Sequence, residues 1–146
     1  MALSIDSIKK GYPLPNYNYK VVVGAHTLPF TEVSGLSIEY EKVTYKHGFS
    51  YLMGANIIRG QRQAITITLK RGVVSKRRDL YDWLQNKTVK DIHIDLCDES
   101  GLALIRWKVS KALVLKMEAS ELNAGGNDVV VESVELAAQD LNIEYL

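Results

Sequence analysis

The sequence predicts a mainly β fold, either a closed β-barrel or a two-sheet sandwich, with one short flanking α-helix and a long early inter-strand loop. Three observations carry this expectation. Apolar and polar residues alternate in short runs, the period of strands with one buried face. Turns rich in Gly, Asn and Asp separate the runs. A single stretch places apolar residues at the i, i+3, i+4 spacing of an amphipathic helix.

Taken in order, residues 1–18 read as an extended N-terminal arm, since Tyr12-Pro13-Leu14-Pro15 favours extended backbone and its prolines lack the donor a sheet needs. Tyr19 to Val23 is an apolar strand, closed by Gly24-Ala25-His26-Thr27 and resumed near Phe30. Gly35 marks a bend or bulge before Leu36, Ile38 and Tyr40 alternate with Ser37, Glu39 and Glu41. Residues 44–62 break the rhythm: Gly48, Gly54 and Gly60 oppose a long regular element, while Phe49, Tyr51, Leu52, Met53, Ile57 and Ile58 oppose a solvated loop. Such a loop either folds back over the core or waits for a partner.

Ile65, Ile67 and Leu69 then alternate with Thr66, Thr68 and Lys70 in a half-buried strand that ends at Gly72. Ser75 is the expected N-cap of the helix, on which Leu80, Trp83 and Leu84 form one apolar stripe. Ile92, Ile94 and Leu96 follow as a strand, and Asp98-Glu99-Ser100-Gly101 reverses the chain into Ile105, Trp107 and Val109. Leu113, Leu115 and Met117 are expected on one face and Val114 and Lys116 on the other. A turn at Gly125-Gly126-Asn127-Asp128 leads to a strand from Val129 to Ala138, whose first three valines call for cover on both faces, and a last strand runs near Asn142 to Leu146.

The 146 residues fit one domain, residues 1–146, and 47% hydrophobic with 24% charged residues is an ordinary globular balance. A formal net charge of +1 gives no general attraction to nucleic acid or membrane. The charges are nonetheless uneven along the chain. Residues 1–78 hold 12 Lys+Arg against 4 Asp+Glu, and residues 79–146 hold 6 against 13. Either the halves pair internally, or they form faces of opposite sign suited to head-to-tail association. The lone Cys97 excludes an intrachain disulfide, and no apolar run reaches the roughly 18 residues of a membrane-spanning helix. The N-terminus lacks the pattern of a signal peptide, so synthesis and folding in the cytoplasm are expected, with any release by another route.

The sequence carries no signature of catalysis. His26, His47 and His93 lack partners at metal-ligand spacing, so no metal is expected. Asp98 and Glu99 sit in a hairpin turn, where Asp serves the backbone. Neither a phosphate-binding glycine loop nor a nucleophile elbow is present, and no cofactor is expected. The basic run Lys70-Arg71 and Lys76-Arg77-Arg78 is the main charge feature; with Ser75 as N-cap, three cations would occupy a first helical turn that disfavours them.

Five segments in register then resemble the contractile-tail tube proteins, that is, the tail tube of contractile phages and the inner tubes of extracellular contractile injection systems. They are Phe30-Thr31-Glu32-Val33-Ser34-Gly35-Leu36, Thr68-Leu69-Lys70-Arg71-Gly72, Leu80-Tyr81-Asp82-Trp83-Leu84, Leu122-Asn123-Ala124-Gly125-Gly126-Asn127-Asp128 and Val131-Glu132-Ser133-Val134-Glu135-Leu136-Ala137. The resemblance covers about residues 17–146. It departs at Ile58-Arg59-Gly60, where the family often has Pro-Gly, and near Lys111-Ala112, where a Pro is absent.

The resemblance implies a structural, non-enzymatic subunit similar to the haemolysin-coregulated protein of type VI secretion. Six copies would close into a ring, and rings would stack head to tail into a hollow conduit for DNA or effector. Its expected partners are itself, a sheath protein, a baseplate hub or spike protein and a lumen cargo, in a phage tail or a particle that can be released from the cell. An adaptor ring between spike hub and tube, and a monomeric module that grips a ligand with its apolar loop, are the alternatives. Phe49, Tyr51, Leu52, Met53, Ile57 and Ile58 are the expected inter-subunit contacts. Lys70, Arg71, Arg77 and Arg78 are the expected cationic partners of an acidic surface such as Asp91, Asp95 or Glu132.

Overall fold

The computed structural model describes residues 13–45 and 56–146. In order these form β1 (Tyr19–Val23), β2 (His26–Leu28), β3 (Glu32–Ser34), β4 (Tyr40–Tyr45), β5 (Asn56–Arg62), β6 (Ile65–Gly72), α1 (Asp79–Asn86), β7 (Lys90–Cys97), β8 (Ala103–Ala119), β9 (Val131–Ala138) and β10 (Asp140–Tyr145). Mainly β structure, with one short helix among the described residues, is what the alternating pattern called for. Of the expected arm, residues 1–12 lie outside the described residues, and 13–18 are irregular.

Eight strands build one large antiparallel sheet in the order β2-β1-β7-β8-β9-β6-β3, with β10 also beside β8. The 17-residue β8 organises it. Its first part pairs with β7 on one side and, over residues 105–110, with β10 on the other; residues 113–119 pair with β9. Between these parts Lys111 adopts φ 53°, and its amide donates to Asp91 Oδ1 at 3.0 Å, so the strand turns a corner while the freed donor stays satisfied. Side chains from both parts of the sheet meet in one buried cluster: Val21, Ile92, Ile94, Val109 and Leu141 with Ile65, Ile67, Leu69, Val114, Val134 and Leu136. Leu80 and Trp83 of α1 are buried in that cluster and Leu84 packs against it, as their spacing requires.

The local corrections have specific causes. The helix begins at Asp79 with Arg78 as N-cap residue, not at Ser75, because Lys76 has φ 70° and a turn closed by Arg77 N to Val74 O breaks the chain first. Its first turn therefore holds Asp79 and Asp82, with the sign the macrodipole favours, and the basic run precedes it. Residues 35–39 are irregular rather than strand, since Gly35 sits at φ 89° against β6. A register shift at Leu115, between Val114 and Lys116, puts Met117 opposite Val134 on the buried face of Val114, not on the face of the exposed Leu115 as expected. Val129 lies before β9 and is 73% exposed, so its cover is absent within the described chain.

The largest correction concerns residues 44–62. Most of the described part is not loop but a two-stranded ribbon, β4 with β5, hydrogen-bonded to each other and outside the large sheet. Gly60 lies inside β5 because the strands approach closely there: a Cβ would come within 2.9 Å of Val43 Cγ2 and 3.2 Å of the Glu41 carbonyl oxygen. A glycine read as a loop signal is thus a packing requirement of a ribbon with a bulge at its base.

Candidate assembly surface

The ribbon carries apolar side chains on both faces. Val43 opposes Ile58 across the ladder and Thr44 opposes Ile57, and consecutive strand residues point to opposite sides. Ile57 is 67% and Ile58 51% exposed, with Val43 also exposed. A lone two-stranded ribbon is marginal in water, and this one presents isoleucines to solvent on either face. Phe49, Tyr51, Leu52 and Met53, expected to share this surface, lie outside the described residues.

At the ribbon base, Arg59 stacks 4.0 Å from the Tyr40 ring centroid, with Arg62 5.8 Å from the same ring. Arg62 also reaches the body, donating to the Asp140 carboxylate and to the Leu141 carbonyl oxygen. Sequence reading missed this group, because Arg62 and Asp140 are 78 positions apart and only the folded corner between β9 and β10 brings them together.

The charge candidates divide sharply. Arg71 is 2% exposed and is not a surface cation. Its Nε donates to Glu132 Oε1 at 2.6 Å, and its two terminal nitrogens donate to the Asp79 carboxylate, tying β6 to β9 and to the start of α1. Burial pulls the Arg71 guanidinium pKa down, but these hydrogen bonds outweigh it and the net direction is up. The same bonds from Arg71 hold the Asp79 carboxyl below its ordinary value, against the opposing effect of burial. Arg71 and Glu132 do pair, but within the chain.

Asp95 is likewise buried and committed: it accepts from Arg106 Nε at 2.7 Å and Nη2 at 3.0 Å across the β7–β8 ladder. Asp91 accepts the Lys111 amide at the β8 corner. Lys70 stands opposite Glu32 on β3 with 3.7 Å between charges, and Arg78 is 3.4 Å from Asp82 one helical turn on; both pairs are solvent-exposed and weak. Arg77 is exposed. Of the acidic groups expected to form a docking surface, Asp95 and Glu132 are therefore not available, while the ribbon isoleucines are.

Strand register exposes an ordering invisible in the linear sequence. Lys20, Asp95, Arg106 and Glu144 stand in one row across β1, β7, β8 and β10, alternating in sign. Hydrogen bonding to Lys108 at 2.8 Å holds the Glu144 carboxyl below its ordinary value. His93 is 3.8 Å from Asp95. On the other part of the sheet, an open groove of about 610 Å³ is lined chiefly by polar and charged residues, including Glu32, Lys70, Lys116, Glu118 and Glu135. Among the described residues, no helix is long and apolar enough to cross a membrane.

Residues 15–142 match the family described as T4-like virus tail tube protein gp19. No curated protein matches the chain. Among solved structures, the fold is similar to a chain of the sheath–tube complex of PVC, an extracellular contractile injection system, in its extended state. That chain is 31% identical with a TM-score of 0.89, and the match covers 99% of this chain and 100% of the other. A chain in the anti-feeding prophage cap, described as a tube-terminating cap, is 32% identical with a TM-score of 0.88 over 100% of both chains. Hcp1 from Flavobacterium johnsoniae shares the fold alone, at 13% identity and a TM-score of 0.56, over 89% of this chain and 97% of Hcp1.

Proposed function

The chain belongs to the T4-like virus tail tube protein family, and from that premise we propose that it is the structural subunit of the inner tube of a contractile injection system. Six copies close into a ring by a heterologous contact, and rings stack head to tail into a hollow conduit. The subunit performs no catalysis; it is enclosed by a sheath protein, starts on a baseplate hub or spike, and passes DNA or an effector through its lumen. The observation that carries this reading is the β4–β5 ribbon, whose Ile57 and Ile58 face solvent on opposite sides, uncovered by any described element and suited to burial against another molecule. Likeness to a chain of a sheath–tube complex over essentially both full lengths supports the same role. On this reading Phe49, Tyr51, Leu52 and Met53 extend the contact, and Lys70, Arg77 and Arg78 serve at its rim.

A terminal or adaptor ring is the second reading, favoured by the equally full-length likeness to a chain in a tube-terminating cap. Negative-stain electron microscopy of the purified protein across a concentration series separates the two. A main tube subunit yields hollow stacks that lengthen with concentration, whereas an end ring stops at one or two layers. Ile57→Asp keeps the monomer folded, since its side chain lies outside the core, and abolishes both forms. Tubes of normal length from that variant would remove the ribbon from the interface.

A further inference from the structure

We propose that Arg62 is a latch that sets the angle of the β4–β5 ribbon against the body, and so pre-organises the ribbon for assembly; the second half of this statement rests on the tube reading above. The ribbon leaves the body through two short connections, residues 35–39 and residues 63–64. A hydrogen bond from Gln63 N to Glu39 O at 2.7 Å closes them into a narrow base. Beyond that base no described element packs substantially along either strand. A stalk of this kind swings about its base unless a side chain spans the hinge.

Arg62 spans it. As the last residue of β5, it sends its guanidinium past the ribbon base and onto the corner where β9 passes into β10. One terminal nitrogen donates to Asp140 Oδ1 and the other to the Leu141 carbonyl oxygen. The planar fork therefore engages two groups fixed at that corner, which restrains direction as well as distance. Its side chain is only 25% exposed, and its Nε is buried with no hydrogen-bond partner among the described residues, so the head is enclosed rather than splayed in water.

Both ends of the latch are braced. On the ribbon side, the guanidinium lies over Tyr40, its cross-strand neighbour, whose ring also stacks on Arg59. On the body side, Asp140 is held by the Leu141 amide at 3.0 Å and by Asn142 Nδ2 at 3.2 Å, and the adjoining Gln139 amide donates to the Ser110 carbonyl oxygen. A long surface pair without such bracing would contribute little to conformation. Arg62 is accordingly a positioning residue: it leaves the apolar contact surface unchanged and fixes where that surface points.

The test is the distance distribution between spin labels at Lys42→Cys on the ribbon and Gln85→Cys on α1, measured below the concentration at which the protein assembles; Cys97 is buried and stays unlabelled. A narrow distribution is expected with Arg62 present and a broad one in Arg62→Gln. Asp140→Ala, which removes the oxygen that accepts from Arg62, should broaden it as well and serves if the Arg62 variant folds poorly. Arg62→Lys, which retains the charge without the fork, should fall between. If a tenth of the freed ribbons point productively, the concentration needed for tubes rises about tenfold in Arg62→Gln. A distribution already broad in the unaltered protein, or equally narrow in both neutral variants, overturns the latch. Because those distances come from unassembled protein, they decide the latch independently of whether tubes form.

Discussion

Arg71 occupies an inward position of its strand, continuing the series Ile65, Ile67 and Leu69, yet carries a charge. Alternation alone places it in the core, whereas its membership of a basic run suggests the surface; the surface assignment is wrong. What reconciles the two signals is the pair Glu132 and Asp79, one from β9 and one from α1, neither foreseeable from local pattern. Removing one member of a buried ion group leaves the others uncompensated, at a cost of about 3–5 kcal/mol. Arg71→Ala should therefore lower urea-denaturation stability by about that amount, and adding Glu132→Gln should recover part of it. The pH dependence has a definite sign. Asp79 is held below its ordinary 3.8 when folded, so its contribution is complete above that value and disappears as pH falls through the folded pKa. Stability of Asp79→Asn measured from pH 6 downwards should lack that acid-dependent part; an unchanged acid profile would show that the carboxylate contributes nothing.

Among the elements, those with a clean period were legible. β1, β6, β7, the apolar stripe of α1 and the Asp98-Glu99-Ser100-Gly101 turn all lie where alternation or turn chemistry places them, and Asp98 caps its turn by accepting from the Ser100 and Leu102 amides. The failures at Met117 and Gly60 have physical causes that local pattern does not carry. A bulge shifts later side chains to the opposite face without any local signal, which brings Met117 to the face of Val114. A close approach of two strands, rather than a turn, explains Gly60. The ribbon isoleucines are indeed too apolar for solvent, but the hydrogen-bonded form of their segment and the Arg62 latch depend on distant chain. Gly35 and Gly72 show how far composition alone misleads. At Gly35, φ is 89° and a Cβ would lie 2.2 Å from the Thr66 carbonyl oxygen, so Gly35→Ala costs at least about 1–3 kcal/mol of backbone strain and displaces β6. Gly72, at the end of β6, would place a Cβ 3.9 Å from Val129 Cγ1, an ordinary contact; Gly72→Ala should be neutral or stabilising by about 0.4–1 kcal/mol. Thermal denaturation of the two variants checks the contrast, and equal effects would refute it.

At the scale of the molecule, part of the uneven distribution of charge along the chain is taken up by pairing among the described residues. β6 pairs with β9 and β1 with β7, which interleaves the basic N-terminal half with the acidic C-terminal half. Several ion pairs cross between those halves: Arg62 with Asp140, and Arg71 with both Asp79 and Glu132. Internal pairing, one of the two possibilities left open by composition, thus accounts for much of the asymmetry. Among the apolar residues left exposed, Val43, Ile57 and Ile58 lie together on the ribbon. Association driven by that surface should tolerate salt, because 1 M ionic strength shortens the Debye length to roughly 3 Å but does not weaken apolar burial. Sedimentation of the assembled fraction at about 0.1 M and about 1 M sodium chloride should therefore differ by less than about twofold. A collapse of assembly at high salt would instead return the exposed cations Lys76, Arg77 and Arg78 to the interface, facing an acidic surface of a neighbouring subunit. In that event electrostatic attraction across the interface, rather than burial of the ribbon, would hold the copies together.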